Sequence, residues 1–356
     1  MPHRAPTPPR TFTLPDLEGH CPYALALNPH TSPVARASEA WLLAHAHASG
    51  PKRARAAIRR LRAGELAGAC YPGACAQALR DGADFLGFLF TLDDWSDEFR
   101  GGRDAGGLAA CVMGALADPN GCRSTKAAGR LAQSIGARLH ENAGPRCGRR
   151  FMETMDLFFR AVAQQAKDRT RGDVPSFEEY VALRWDTSGC KPCFALIEYA
   201  AGIDLPDEVA SHPTVRALEE AANSYISWSN DIFSYNVEQA RGDSHNMLVV
   251  VMQRHAISLQ EAVDFVGGLC DASIARFEHD RRTLPSWGPE VDRAVAAYVQ
   301  GLQDWMVGTL HWSFESGRYF GDEGGHIKKS RISGTHCSSH SSQLISRLSL
   351  FLTNMK

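Results

Sequence analysis

FLGFLFTLDDWSDEF, residues 85–99, sets Phe85, Leu89, Phe90 and Leu92 at helical intervals and then crowds Asp93, Asp94, Asp97 and Glu98 into its end. Its apolar stripe is too wide for a surface helix, so the segment reads as a helix buried on most of its circumference. The same period recurs outward from it, over roughly 35–48, 52–66, 74–98, 123–142, 148–167, 176–188, 193–202, 214–239, 258–282 and 287–316. Breakers stand between these stretches: GGRDAGG (101–107), ADPNG (117–121), RGDVPS (171–176) and IDLPDE (203–208). LVVVM (248–252) is the one β-branched run, and a lone strand there has no partner. The pattern predicts an all-α chain built as one helical bundle. Residues 1–32, rich in proline, read as an extended arm and 33–321 as the domain. Residues 322–356, rich in Gly, Ser and His, read as a disordered tail.

Composition narrows the function. Hydrophobic residues make up 44% and charged residues 22%, which supplies a sizeable core and excludes global disorder. A net charge of −2 gives no overall electrostatic footprint for nucleic acid or an anionic membrane. No run of apolar residues is long enough to span a bilayer. Ten cysteines at irregular spacings predict free thiols and a reducing, cytoplasmic setting.

The chemistry concentrates in four places. Asp93 and Asp97 stand i, i+4 at a helix C-terminus, where acids oppose the helix dipole and repel one another. A hard divalent cation such as Mg²⁺ removes that conflict, because it takes carboxylate, water and phosphate oxygens. In WSNDIFSYNVEQARGD (228–243), Asn230, Ser234 and Glu238 line one stripe two turns long. A carboxamide oxygen, a hydroxyl and a carboxylate form a hard ligand set that substrate oxygens can complete. Arg184 lies one turn before a break at Gly189 and Pro192, placed to offer a planar cationic fork to a phosphate. Arg318 and Tyr319 stand near the end of the last long helix. With Leu89 and Phe90 one turn before the acids, the pocket below the ions is hydrophobic. No GxxxxGK[ST] and no GxGxxG after a strand is present, which argues against a nucleotide. A diphosphate attached to a hydrocarbon is the substrate that such a site suggests.

On these residues the chain resembles the class I terpene cyclases, and most closely the sesquiterpene synthases of mushroom-forming fungi. Asp93, Asp94 and Asp97 match that family's aspartate-rich motif; Asn230, Asp231, Ser234 and Glu238 match its second metal motif. Arg184 stands where the family carries its diphosphate-sensing arginine, and Arg318-Tyr319 matches its C-terminal pair. LNPH (27–30), CYP (70–72), NVEQARGDSHNM (236–247) and WSFES (312–316) also look like the family. The resemblance implies one class I terpenoid synthase bundle whose active site opens at one end. It implies three Mg²⁺ ions on Asp93, Asp97, Asn230, Ser234 and Glu238, with Arg184, Arg318, Tyr319 and Arg241 holding the diphosphate. It implies farnesyl diphosphate as substrate, with Phe90, Phe194 and Trp312 as candidates to face the carbocation. The look of 236–247 leans towards 1,11 ring closure, and the protein is expected as a monomer or homodimer.

The chain departs from the family where Trp185 replaces a second sensor arginine and where bulky Trp95 interrupts the acidic motif. It departs again after Gly321, where the resemblance stops and closure of the site is left open. Three rivals remain at this level. A chain-elongating prenyltransferase would carry two aspartate-rich motifs, which the Asn/Ser/Glu stripe contradicts. A redox protein would use Cys190-Lys191-Pro192-Cys193, but that motif is expected beside a βαβ unit. The third is a protein that keeps the fold and has lost catalysis through its altered end.

Overall fold

A computed structural model describes residues 11–46, 52–96, 102–171 and 174–334, and sixteen α-helices lie among them. The chain enters through a short strand, β1 (Thr11–Thr13), and one helical turn, α1 (Leu17–His20). Helices α2 (Thr31–Ala46), α3 (Lys52–Leu61), α4 (Ala63–Cys70), α5 (Ala76–Ser96) and α6 (Gly102–Ala117) follow. Next come α7 (Ala127–Asn142), α8 (Pro145–Arg171), α9 (Phe177–Thr187), α10 (Cys190–Ala201) and the single turn α11 (Asp207–Ala210). The chain continues through α12 (Pro213–Arg241), α13 (Met247–His255), α14 (Leu259–Arg282) and α15 (Pro289–Glu315). It closes with α16 (Gly324–Ser330) and β2 (Ile332–Gly334), which pairs antiparallel with β1.

Local chemistry sets the ends that matter. Helix α12 starts with Pro213 in its first turn and stops at Gly242, whose left-handed φ of 76° suits glycine. Helix α9 opens on a capping box between Ser176 and Glu179. The break between α9 and α10 falls at Gly189, φ 73°, where a Cβ would come within 2.9 Å of Leu89 Cδ2. Both the backbone angle and the closeness of α5 therefore require glycine there. Helix α5 packs against α2, α4, α7 and α10, and α12 lies against α14 and α15. Gly308 lets α15 sit on α4, since a Cβ there would stand 2.9 Å from the Ala69 carbonyl carbon. Phe85, Phe88, Phe151, Phe194, Tyr225 and Phe233 fill the centre. Asn28 ties LNPH to the turn after CYP by donating to the carbonyls of Tyr71 and Ala74 at 3.0 and 2.8 Å.

The all-α expectation holds, with three local differences. GGRDAGG opens helix α6 instead of breaking the chain. Val112, Ala115 and Leu116 are buried as α6 packs on α7 and α8, and that burial outweighs a glycine penalty of about 1 kcal/mol per residue. LVVVM belongs to helix α13, because the side chain of Asn246 caps the helix by accepting from the Leu248 N–H. Residues 322–334, expected without structure, contain α16 and β2, because the N-terminal arm supplies β2 with a strand partner. Residues 335–356 lie outside the described residues. No helix among the described residues is long and apolar enough to cross a membrane.

Candidate active site

The C-terminal ends of α5, α9 and α12 and the segment after α15 meet in one polar cluster. Asp93 and Asp94 stand near the end of α5. Arg318 spans both, with Nη2 2.9 Å from Asp93 Oδ2 and Nη1 3.3 Å from Asp94 Oδ1. The same guanidinium lies over the Phe90 ring, 4.8 Å from its centroid. Trp312 continues that wall, 5.3 Å from Phe90 and 5.9 Å from Tyr319 between ring centroids. Its indole N–H donates to the Leu61 carbonyl at 2.8 Å, which fixes the ring. Phe194 lies apart from this pair, buried edge-on to Trp305. Asp97 falls outside the described residues.

Helix α12 supplies the second half. Asn230 Oδ1 accepts from Arg184 Nη2 at 2.7 Å, and its Nδ2 donates to the Tyr319 hydroxyl at 2.6 Å. One turn on, Ser234 Oγ is buried with no hydrogen-bond partner. A further turn on, Glu238 Oε2 accepts from Asn246 Nδ2 at 2.9 Å. Asp231 lies beside this stripe as the anchor of Arg184. It is 1% exposed and accepts from Arg184 Nε at 2.9 Å, the Tyr180 hydroxyl at 2.6 Å and the Met247 N–H at 3.0 Å.

The electrostatics follow from enclosure. Desolvation pushes Glu238 up to about 7, the nearby Asp231 charge adds to it, and the bond from Asn246 opposes it. Burial also raises the Asp231 carboxyl, with Arg184 the chief opposing influence. Arg184 and Arg318 are held protonated by the carboxylates beside them. Burial pushes the Tyr319 hydroxyl up to about 12, so it remains an O–H donor at neutral pH.

These residues fit a hard divalent cation. An orphaned buried hydroxyl, a carboxamide and an over-enclosed carboxylate share one helix stripe and lack positive charge of their own. Among the described residues no three His, Cys, Asp or Glu side chains gather into a metal centre by themselves.

Three contributors were not singled out from sequence. Tyr180 stands one turn before Arg184, so its i, i+4 spacing could have flagged it. Asn246 precedes an apolar run, which is a helix-start signal. Arg169, at the end of α8, has Nη2 2.5 Å from Asp243 Oδ2, and its charge also acts on Asp93. No local pattern announces that long-range pairing. Arg241 is exposed in the last turn of α12. Trp185, in place of a second arginine, donates its indole N–H to Ser224 Oγ at 2.9 Å.

The nine described cysteines are all free. Burial pushes the thiols of Cys190 and Cys193 upward, Cys190 to about 11, which is the reverse of a reactive dithiol.

Comparison with known proteins agrees with this arrangement. Residues 84–276 match the family described as terpene synthase family 2, C-terminal metal binding. The alpha-muurolene synthase of Coprinopsis cinerea is 49% identical over 331 residues, spanning 91% of this chain and 77% of that protein. Sesquiterpene synthase 1 of Postia placenta is 49% identical over 324 residues, spanning 91% and 95%. Among solved structures, germacradien-4-ol synthase from Streptomyces citricolor matches with a TM-score of 0.71 at 26% identity, covering 82% of this chain and 96% of that one. A metal-binding family match over half the chain, with near-half identity over nine-tenths of it, places the chain in the terpene synthase family, and it is a terpene cyclase.

Proposed function

We propose that the protein is a sesquiterpene synthase that ionises and cyclises farnesyl diphosphate with Mg²⁺. The observation that carries this reading is the pairing of Arg184, Arg318 and Tyr319 with the oxygen ligands Asn230, Asp93 and Asp94 at the rim of an apolar bundle. The relatives' names supply the substrate length. Asp93, Asp97, Asn230, Ser234 and Glu238 would hold the ions, three by the family resemblance. Bound ions supply positive charge to the diphosphate oxygens, as Lewis acids do.

This chain's own residues perform the rest. Arg318 and Tyr319 exchange their intramolecular partners for diphosphate oxygens, which frees Asp93 and Asn230. Arg184, oriented by Asp231 and Tyr180, offers a fixed guanidinium to the same group. As the allylic C–O bond breaks, the electron pair leaves with the diphosphate, and these donors stabilise the charge that develops. Phe90 and Trp312 stand directly beneath Arg318 and Tyr319. They shield the new cation from water and face it with π-density worth roughly 0.5–2 kcal/mol per ring. Proton loss to the released diphosphate ends the cascade. Ring closure at 1,11 belongs to this reading only through the look of residues 236–247.

Incubation with farnesyl diphosphate and Mg²⁺, followed by gas chromatography–mass spectrometry, tests the reading. A C15 hydrocarbon that disappears with EDTA is the expected result, and its identity fixes the closure. Folded protein that yields only the hydrolysed alcohol, or nothing, would sink it.

A pH dependence follows from Glu238. Cation binding must displace its proton, so the apparent Mg²⁺ affinity rises with pH up to about 7 and levels off above. In the ligand-free protein the sign reverses. The folded carboxyl is raised from 4.5 to about 7, so it holds a proton that the unfolded chain has released, and stability falls as pH rises through that window. Calorimetric Mg²⁺ titrations with inorganic diphosphate below and above neutrality check the first sign. Thermal melts over the same range check the second.

A further inference from the structure

The segment after α15 grips α12 twice. Its first contact is Tyr319, whose hydroxyl accepts from Asn230 Nδ2 at 2.6 Å. Its second is Ser333, whose Oγ accepts from Asn236 Nδ2 at 2.9 Å. Asn230 and Asn236 stand six residues apart, about 9 Å along the helix axis. Ser234 lies between them and Glu238 just beyond. Asn236 is rotated about 200° from Ser234, so it belongs to the opposite face of α12 and not to the oxygen stripe. Asn236 is 3% exposed and Ser333 1%, so this bond is sealed from water and its loss strands a donor.

Between its two grips the segment is itself held. Gly324 packs so tightly on the end of α15 that a Cβ there would collide with the Phe314 carbonyl oxygen. Lys328 Nζ lies 2.8 Å from Glu18 Oε1 and 3.1 Å from His311 Nδ1, joining α16 to both α1 and α15. In the β1–β2 ribbon Ser333 stands opposite Phe12, and Phe12 packs edge-on to Tyr235, the neighbour of Asn236. The ribbon is fixed to α14 in turn, because Gln260 exchanges hydrogen bonds with the backbone of Thr13 at 2.8 and 3.0 Å.

We propose that residues 318–334 clamp α12 through the Asn236–Ser333 bond, both being positioning residues, and that this grip persists when Tyr319 turns from Asn230 to the diphosphate. The clamp holds Asn230, Ser234 and Glu238 in the register and rotation that accept the metal ions. This rests on the reading of that stripe as metal ligands. The N-terminal arm, through β1, is the anchor of the clamp.

The test compares the full chain with Ser333→Ala and Ser333→Thr, using inorganic diphosphate and Mg²⁺ as the probe. Thermal melts read the stabilisation by Mg²⁺ with diphosphate, and steady-state assays separate kcat from the Mg²⁺ dependence. Ser333→Ala is expected to raise the half-saturating Mg²⁺ about tenfold, as loss of a support behind metal ligands does, with kcat at saturating Mg²⁺ little changed. Ser333→Thr keeps the hydroxyl and restores the parent value. If Ser333→Ala melts earlier but needs no more Mg²⁺, the bond is merely structural and the proposal is overturned. If the full chain shows no Mg²⁺-dependent stabilisation by diphosphate, the metal-ligand reading fails first, and the clamp falls with it.

Discussion

Glu238→Gln is expected to lower the rate of hydrocarbon formation about a thousandfold without lowering the melting temperature above neutral pH. Glutamine keeps the shape, and its carbonyl oxygen can still accept from Asn246 Nδ2, so α12 and the cap of α13 remain. The variant lacks the negative charge that would hold a cation against the diphosphate. Removal of one electrostatic stabiliser of the transition state typically costs about 10²–10³ in kcat, and a ligand acts on both the ion and its placement. Stability should not suffer, because enclosure already works against this charge and raises its pKa to about 7. Initial rates by gas chromatography, beside a thermal melt, give both readings. Activity within tenfold of the parent would show that Glu238 holds no essential ion.

Asp231→Ala should have the largest effect on stability, about 3–5 kcal/mol. Asp231 is 1% exposed and forms an ion pair at 2.9 Å with Arg184, whose side chain is 14% exposed. Removing it leaves a largely buried guanidinium uncompensated, which typically costs that much. It also strands the Tyr180 hydroxyl and the Met247 N–H, which have no water to turn to. Asp231→Asn, which keeps an acceptor for Arg184 Nε but no charge, should fall between the two. A double variant that also removes the Arg184 charge, Arg184→Leu, should recover part of the loss. Denaturant unfolding measures all three. A loss under 1 kcal/mol for Asp231→Ala would mean that Arg184 finds another anion. Cyclase activity should disappear in every one of these variants, since Arg184 is misplaced or absent.

Much of the site was legible because it is local. Asn230, Ser234 and Glu238 recur every four residues within one helix, and that spacing needs no tertiary structure to align side chains. Arg184 stood out through the break at Gly189 that follows it. Misreadings arose where local propensity competed with burial or capping. The glycines of 101–107 read as a breaker, but α6 packs its apolar residues on two neighbours. The valines of 248–252 read as a strand signal, but the cap on Asn246 and the packing of α13 on α14 make them helical.

The end of the chain shows the same limit more clearly. Composition alone made 322–334 look unstructured, because Gly, Ser and charged residues carry no internal reason to fold. The reason lies more than three hundred residues away, in Thr11–Thr13, which supplies the partner strand. The sequence by itself determined the helical class and the alignment of Asn230, Ser234 and Glu238 on one stripe, because these depend on periodicity within a few turns. Tertiary structure alone decided that Arg318 meets Asp93, that Asp231 serves Arg184, and that Arg169 pairs with Asp243. It also decided that β1 and β2 pair with one another against α12. Those pairings close over long separations, and what selects among the available partners is the packing of whole helices, which no short stretch of residues records.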